Sequence, residues 1–143
     1  HMALSDTIPV IKNVFHITYI QNRGAAWGSL QGKRILLLAV TLLVLIFLVY
    51  FYIKMLKMDK YKDLRILFLF VFSGAVGNMI DRIRLGYVID MFDFRLINFP
   101  VFNVADIYVT CSMIILLILI LFKYKDNELE DLFGGSKKGS DQE

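Results

Sequence analysis

Between Ile35 and Ile53 nineteen consecutive residues carry no charge, which leaves the segment few possible environments. At about 1.5 Å per residue, a helix of that length crosses the roughly 30 Å hydrocarbon core of a bilayer. Two further apolar runs follow, Leu64 to Ile80 and Val104 to Phe122. Inside hydrocarbon each backbone N–H and C=O must find its partner within the protein, so the three runs predict three transmembrane helices. Composition agrees. The chain has 143 residues, 57% of them hydrophobic, and a mean hydropathy of +0.61, too apolar for an ordinary soluble domain.

The second run carries Ser73, Gly74 and Gly77, small residues that let helices approach closely, and it is expected to continue through Asp81 and Arg82 towards Gly86. Loop charges give an orientation. Lys54, Lys57, Lys60, Lys62 and Arg65 crowd the connection between the first two runs, which should face the cytoplasm. The next connection, where Arg82, Arg84 and Arg95 stand against Asp81, Asp90 and Asp93, then falls outside, and Lys123 and Lys125 return the chain inward. This order leaves residues 3–34 on the outer face, from which an upstream helix is expected to be absent from this chain. In that segment Phe15-His16-Ile17-Thr18-Tyr19 alternates like a half-buried strand and leads to Asn22-Arg23-Gly24-Ala25-Ala26-Trp27-Gly28. Gly24 and Gly28 permit tight turns there. The reading is an extracytoplasmic β-element over residues 1–33, with Trp27 an interface anchor and His16 a surface strand residue. A helical core with an outer connection follows over 34–125, then a disordered cytoplasmic tail over 126–143.

Some chemistries are disfavoured at once. Cys111 is the single cysteine, so an intrachain disulfide and a multi-cysteine metal site are excluded. His1-Met2 reads as a cloning remnant, which leaves His16 as the only other histidine and makes histidine catalysis or zinc ligation improbable. The net charge of +3 arises from loop clusters and gives no reason to invoke nucleic acid.

The acids are what remains. On a helix Asn78, Asp81 and Arg82 are spaced i, i+3, i+4 and share a face, as do Asn103, Asp106 and Thr110 at the start of the third run. Both polar faces fall at the same end of their helices, and Asp90 lies between them among Val88, Ile89, Met91 and Phe92. Carboxylates at a membrane boundary are costly to hold, which makes them candidates for function. Two of them close together in a poorly solvated site would share one proton, and one could then take a proton from water while the other donates to a carbonyl oxygen. Each residue also has a plainer use. Asn103 and Asp106 fit a helix N-cap with an acidic third residue. Asp81 beside Arg82 fits an ion pair at a helix end, and Asp90 and Asp93 fit ordinary loop charges.

Taken together, four blocks resemble lipoprotein signal peptidase, the type II signal peptidase of bacteria. They are Asn22-Arg23-Gly24-Ala25-Ala26-Trp27-Gly28, Gly77-Asn78-Met79-Ile80-Asp81-Arg82, Val88-Ile89-Asp90 and Phe102-Asn103-Val104-Ala105-Asp106, and they span about residues 8 to 122. The resemblance implies an all-α integral membrane protein with four transmembrane helices in the family, three of them here, plus a small β-cradle. It implies an aspartyl endopeptidase of the inner membrane, needing neither metal nor cofactor, that cuts before a diacylglyceryl-modified cysteine of prolipoproteins. It further implies Asp90 and Asp106 as the catalytic pair, and Asn22, Asn78, Asp81, Arg82 and Asn103 as residues that position the pair and bind substrate. Its partners would be lipid-modified prolipoproteins and membrane lipids, with the protein expected to be a monomer. Ile107 departs from the family pattern, standing where a small polar residue is more usual. Two other readings of the acids compete: a proton-relay subunit without enzymatic activity, and a membrane phosphatase holding Mg²⁺.

Overall fold

A computed structural model describes residues 2–25, 29–124 and 132. Trp27 and, apart from Leu132, the tail over 126–143 lie outside the described residues, as does Lys125. In chain order the elements are β1 (Thr7–Ile11), β2 (Phe15–Asn22), α1 (Arg34–Met55), α2 (Lys62–Arg84), β3 (Val88–Phe94) and α3 (Val104–Phe122). All three helices are long and apolar enough to cross a membrane.

The helices form where the apolar runs predict them. In α1 and α3 most of the large aliphatic side chains face outward, including Leu43, Ile46, Ile114 and Leu117. An exposed apolar surface of that extent is intolerable in water and ordinary against lipid. The main cluster of buried apolar side chains gathers at the end of the bundle opposite the sheet. There Phe51 and Met55 of α1 pack with Tyr61, Leu64 and Phe68, and Tyr124 closes the cluster from the end of α3. Lys123 and Asp63 form an ion pair at the same end. Gly74 decides how closely α2 meets α3: a Cβ built on it would lie 2.5 Å from the Ala105 carbonyl oxygen and 2.8 Å from Val109 Cγ2. Of the three small residues, Gly74 is therefore the one the contact requires. Gly77 is looser, its Cβ position 3.5 Å from Ala105 Cβ, and Ser73 is exposed and bonds its own helix at the Leu69 carbonyl.

The β-element is larger than the sequence suggests. It is a three-stranded antiparallel sheet in the order β1-β2-β3, so residues 88–94, assigned above to the outer connection of the helical core, belong to the same sheet as residues 7–22. Asn22 faces Val88 at one end of the β2–β3 ladder and Phe15 faces Phe94 at the other. Two irregularities hid β3 from a search for alternation. The register slips between Ile17 and Ile20, and the amides of Met91 and Phe92 both donate to the Phe102 carbonyl, at 2.9 and 2.8 Å. Such a bulge lets Asp90 and Asp93, three residues apart, both be buried. His16, read as a surface residue, is also buried. Its Nδ1 lies 3.3 Å from Thr7 Oγ1 across the β1–β2 pair.

Candidate active site

Three elements meet at the sheet end of the bundle: the last turns of α2, the first turn of α3 and the start of β3. Asn103 joins them. It is the N-cap of α3 in extended conformation, and its side-chain oxygen accepts from the Asp106 amide at 3.0 Å. Asp106 Oδ2 in turn accepts from the Asn103 amide at 3.1 Å, which completes a capping box. The plain helix-start reading of these two residues is thus correct as geometry. It leaves the side-chain amide of Asn103 free for other work. That group donates to Asp90 Oδ1 at 2.7 Å and to Asn78 Oδ1 at 3.1 Å.

Each carboxylate oxygen of the two acids has a donor. Asp90 Oδ2 accepts from Asn22 Nδ2 at 3.0 Å, and Asp106 Oδ1 accepts from Asn78 Nδ2 at 2.9 Å. Asp90 and Asp106 are therefore brought together through one asparagine that bonds both. Asp90 is only 2% exposed, whereas Asp106 is half-buried. Burial pushes the Asp90 carboxyl above its ordinary range. The amide donors of Asn22 and Asn103 and the Arg82 charge oppose that shift, the charge of Asp106 adds to it, and burial prevails.

Arg82 and Asp81 do not serve mainly as a pair with each other. Arg82 donates from Nη2 to the Gly24 carbonyl at 2.8 Å and from Nη1 to the Asn78 carbonyl at 3.3 Å. Among the described residues its buried Nε has no hydrogen-bond partner, and the charges of Asp106, Asp90 and Asp81 act on the guanidinium. Asp81 Oδ2 accepts from the Ile89 amide at 3.2 Å and so ties the end of α2 to the start of β3. Asn22 turns its side-chain oxygen back to the Gly24 amide at 2.9 Å, an Asx turn that shapes the exit from β2. Six of the seven residues singled out from the sequence thus lie in one hydrogen-bonded assembly, and Asp81 stands at its edge, tied to the amide of Ile89 beside Asp90. Asn22 bonds Asp90 and the Gly24 amide, and Asn103 bonds Asp90, Asn78 and the Asp106 amide.

Sequence reasoning missed the second buried acid. Asp93 accepts from Thr18 Oγ1 at 2.7 Å and from Arg95 Nε at 2.9 Å. Burial raises its carboxyl, but those two donors with the charge of Arg95 outweigh it and hold the group below its ordinary range. Thr7 Oγ1 bonds Thr18 at 2.9 Å and Arg95 Nη2 at 2.9 Å, so the network laces all three strands. Alternation puts Thr18 on the same polar face as His16, which reads as surface, yet both are buried, and the strand across from them was not recognisable.

The molecule is a helical membrane-type protein in which two acids lie near the junction of the helices with a small sheet. The chain matches the model of the signal peptidase (SPase) II family over residues 1–122. A lipoprotein signal peptidase of Clostridioides difficile (strain 630) is 47% identical over 116 residues, covering 81% of this chain and 76% of that protein. One from Halothermothrix orenii (strain H 168) is 43% identical over 130 residues, 91% of this chain and 84% of that protein. A bacterial membrane enzyme solved by the in meso method superposes with a TM-score of 0.76 at 33% identity, covering 96% of this chain and 80% of that one. The chain belongs to the signal peptidase II family, and so to the peptidases.

Proposed function

We propose that this protein removes the signal peptide from diacylglyceryl-cysteine prolipoproteins, using Asp90 and Asp106 as a pair that activates water. The observation that supports it most is the Asn103 bridge: one side chain bonds a deeply buried carboxylate and caps the helix that carries the second. One carboxyl donates to the scissile carbonyl oxygen while the other accepts a proton from the attacking water. The tetrahedral intermediate then collapses as the proton passes to the leaving nitrogen. The Nε of Arg82, without a partner among the described residues, is a donor for a substrate carbonyl, and the arginine is already fixed through Gly24 and Asn78. The reaction so written needs no metal. The site lies on the extracytoplasmic side, since the lysine-rich α1–α2 connection is at the opposite end of the bundle.

The test is cleavage of a synthetic lipopeptide by the purified protein, read as fragments by mass spectrometry. Asp90→Asn and Asp106→Asn should each abolish the fragment without altering membrane insertion, and excess EDTA should leave wild-type cleavage intact. Turnover retained in both variants would refute the paired-acid reading. Loss of activity in EDTA, restored by Mg²⁺, would favour metal chemistry instead.

A further inference from the structure

The end of the sheet farthest from Asn22 and Asp90 presents apolar surface that the site does not use. Arg95–Ile97 form a single 3-10 turn, after which Asn98 takes a left-handed φ of 49°. The turn is braced: the Asn98 amide donates to the Arg95 carbonyl at 3.0 Å, Phe99 to Phe94 at 3.2 Å and Leu96 to Val14 at 3.4 Å. Beneath it the ring of Phe102 packs against Phe94 and Phe99, with centroids 5.8 and 5.5 Å away. Yet Leu96 and Ile97 are left 70% and 68% exposed, and at the same end of the sheet, across β2, Val10 and Ile11 of β1 are 58% and 56% exposed. A turn held this firmly could have folded its two largest aliphatic side chains inward, but it displays them.

The nearest apolar phase is the bilayer crossed by the helices. Only six residues separate Ile97 from Val104, the first residue of α3, so at most about 25 Å of extended chain lies between them. The Phe92–Phe102 bridge shortens the path further by folding the chain back beside β3. Exposed cationic Lys12 stands next to Ile11, while Arg95, which opens the turn, is held by Asp93 and Thr7. Aliphatic groups beside an exposed lysine are the pattern of segments that sit at the headgroup boundary.

We propose that Val10, Ile11, Leu96 and Ile97 form an interfacial foot that inserts into the lipid surface, with Lys12 at the level of the phosphates. The foot continues the lipid-facing surface of α3 and fixes the sheet over the bilayer. The proposal rests on the spanning helices alone and stands or falls apart from the catalytic reading.

The test uses an indole introduced at the turn. Ile97→Trp is made in a Trp27→Phe background, which removes the chain's one native tryptophan, and reconstituted in phosphatidylcholine brominated near the headgroup end of its acyl chains. Loss of most of the indole emission, with little effect of aqueous iodide, is expected. Leu96→Trp in the same background gives a second reading at an equally exposed position. Quenching by iodide but not by the brominated lipid overturns the proposal, because the turn then faces water. Emission insensitive to both also overturns it, since protein, such as a second copy of the chain, then covers the patch.

Discussion

Replacing Asn103 separates the two tasks that its side chain combines. Asn103→Ala removes the capping oxygen, at a cost of about 1 kcal/mol. It also removes the donor to Asp90 Oδ1, a buried oxygen with that bond at 2.7 Å, and leaving such an acceptor unmet costs about 1–3 kcal/mol more. Asn103→Ser keeps an oxygen for the Asp106 amide but is too short to replace the bond to Asp90. Its cost is the second term alone. The alanine variant should therefore be destabilised by about 2–4 kcal/mol and the serine variant by about 1 kcal/mol less. In cleavage of the lipopeptide, both should lose about 100-fold in kcat, since each lets Asp90 move relative to Asp106. Reversible unfolding in mixed micelles measures the first difference and single-turnover cleavage the second. A serine variant with wild-type turnover would refute the bridge as the element that positions the acids.

Four further outcomes follow from the same geometry. Gly74→Ala places a methyl group 2.5 Å from a backbone oxygen of α3, so it should destabilise the bundle by about 1–3 kcal/mol, whereas Gly77→Ala should be tolerated; equal unfolding midpoints would contradict this. Cleavage should fall as pH rises through the raised pKa of Asp90, and Asn22→Ala, which removes a donor favouring the ionised form, should move that limb of the profile to higher pH. The same shift has a stability consequence. Because the folded-state pKa of Asp90 lies above its unfolded value, its stabilising contribution is full below the unfolded pKa and lost as pH rises through the folded one, and the slope should vanish in Asp90→Asn. Asp81→Ala should loosen the α2–β3 junction and reduce activity, and Asp81→Asn, which keeps an acceptor for the Ile89 amide, should restore most of it.

Helices were the legible part of the sequence because lipid imposes one simple rule on them. The run Val104 to Phe122 coincides with α3, and the expected continuation of the second run through Arg82 is realised in α2, which ends at Arg84. The site was legible through spacing: Asn78 and Arg82 share a helical face, and Asn103 and Asp106 read as a cap. What could not be read was the partner of each polar group. β3 carries two aspartates in seven residues, and a bulge breaks its alternation. Its neighbour β2 is about seventy positions upstream. β1 is short, wholly exposed and contains Pro9, tolerable because it is an edge strand. His16 and Asp93 gave no sign of burial because their environment is made by strand pairing, which one-dimensional periodicity does not reveal. Asn103 illustrates the same limit. Its cap was visible in the sequence, but its bond to Asp90 depends on where β3 lies.

The central claim is that Asp90 and Asp106 act as one unit, and a double-mutant cycle in kcat addresses it most directly. Single-turnover lipopeptide cleavage is measured for wild type, Asp90→Asn, Asp106→Asn and the double variant, in protein shown to be folded. Residues that work together lose nearly everything with the first substitution. The double variant should therefore be no slower than either single one. Losses that multiply, each single variant keeping measurable turnover and the double showing their product, would mean that the two carboxylates contribute independently.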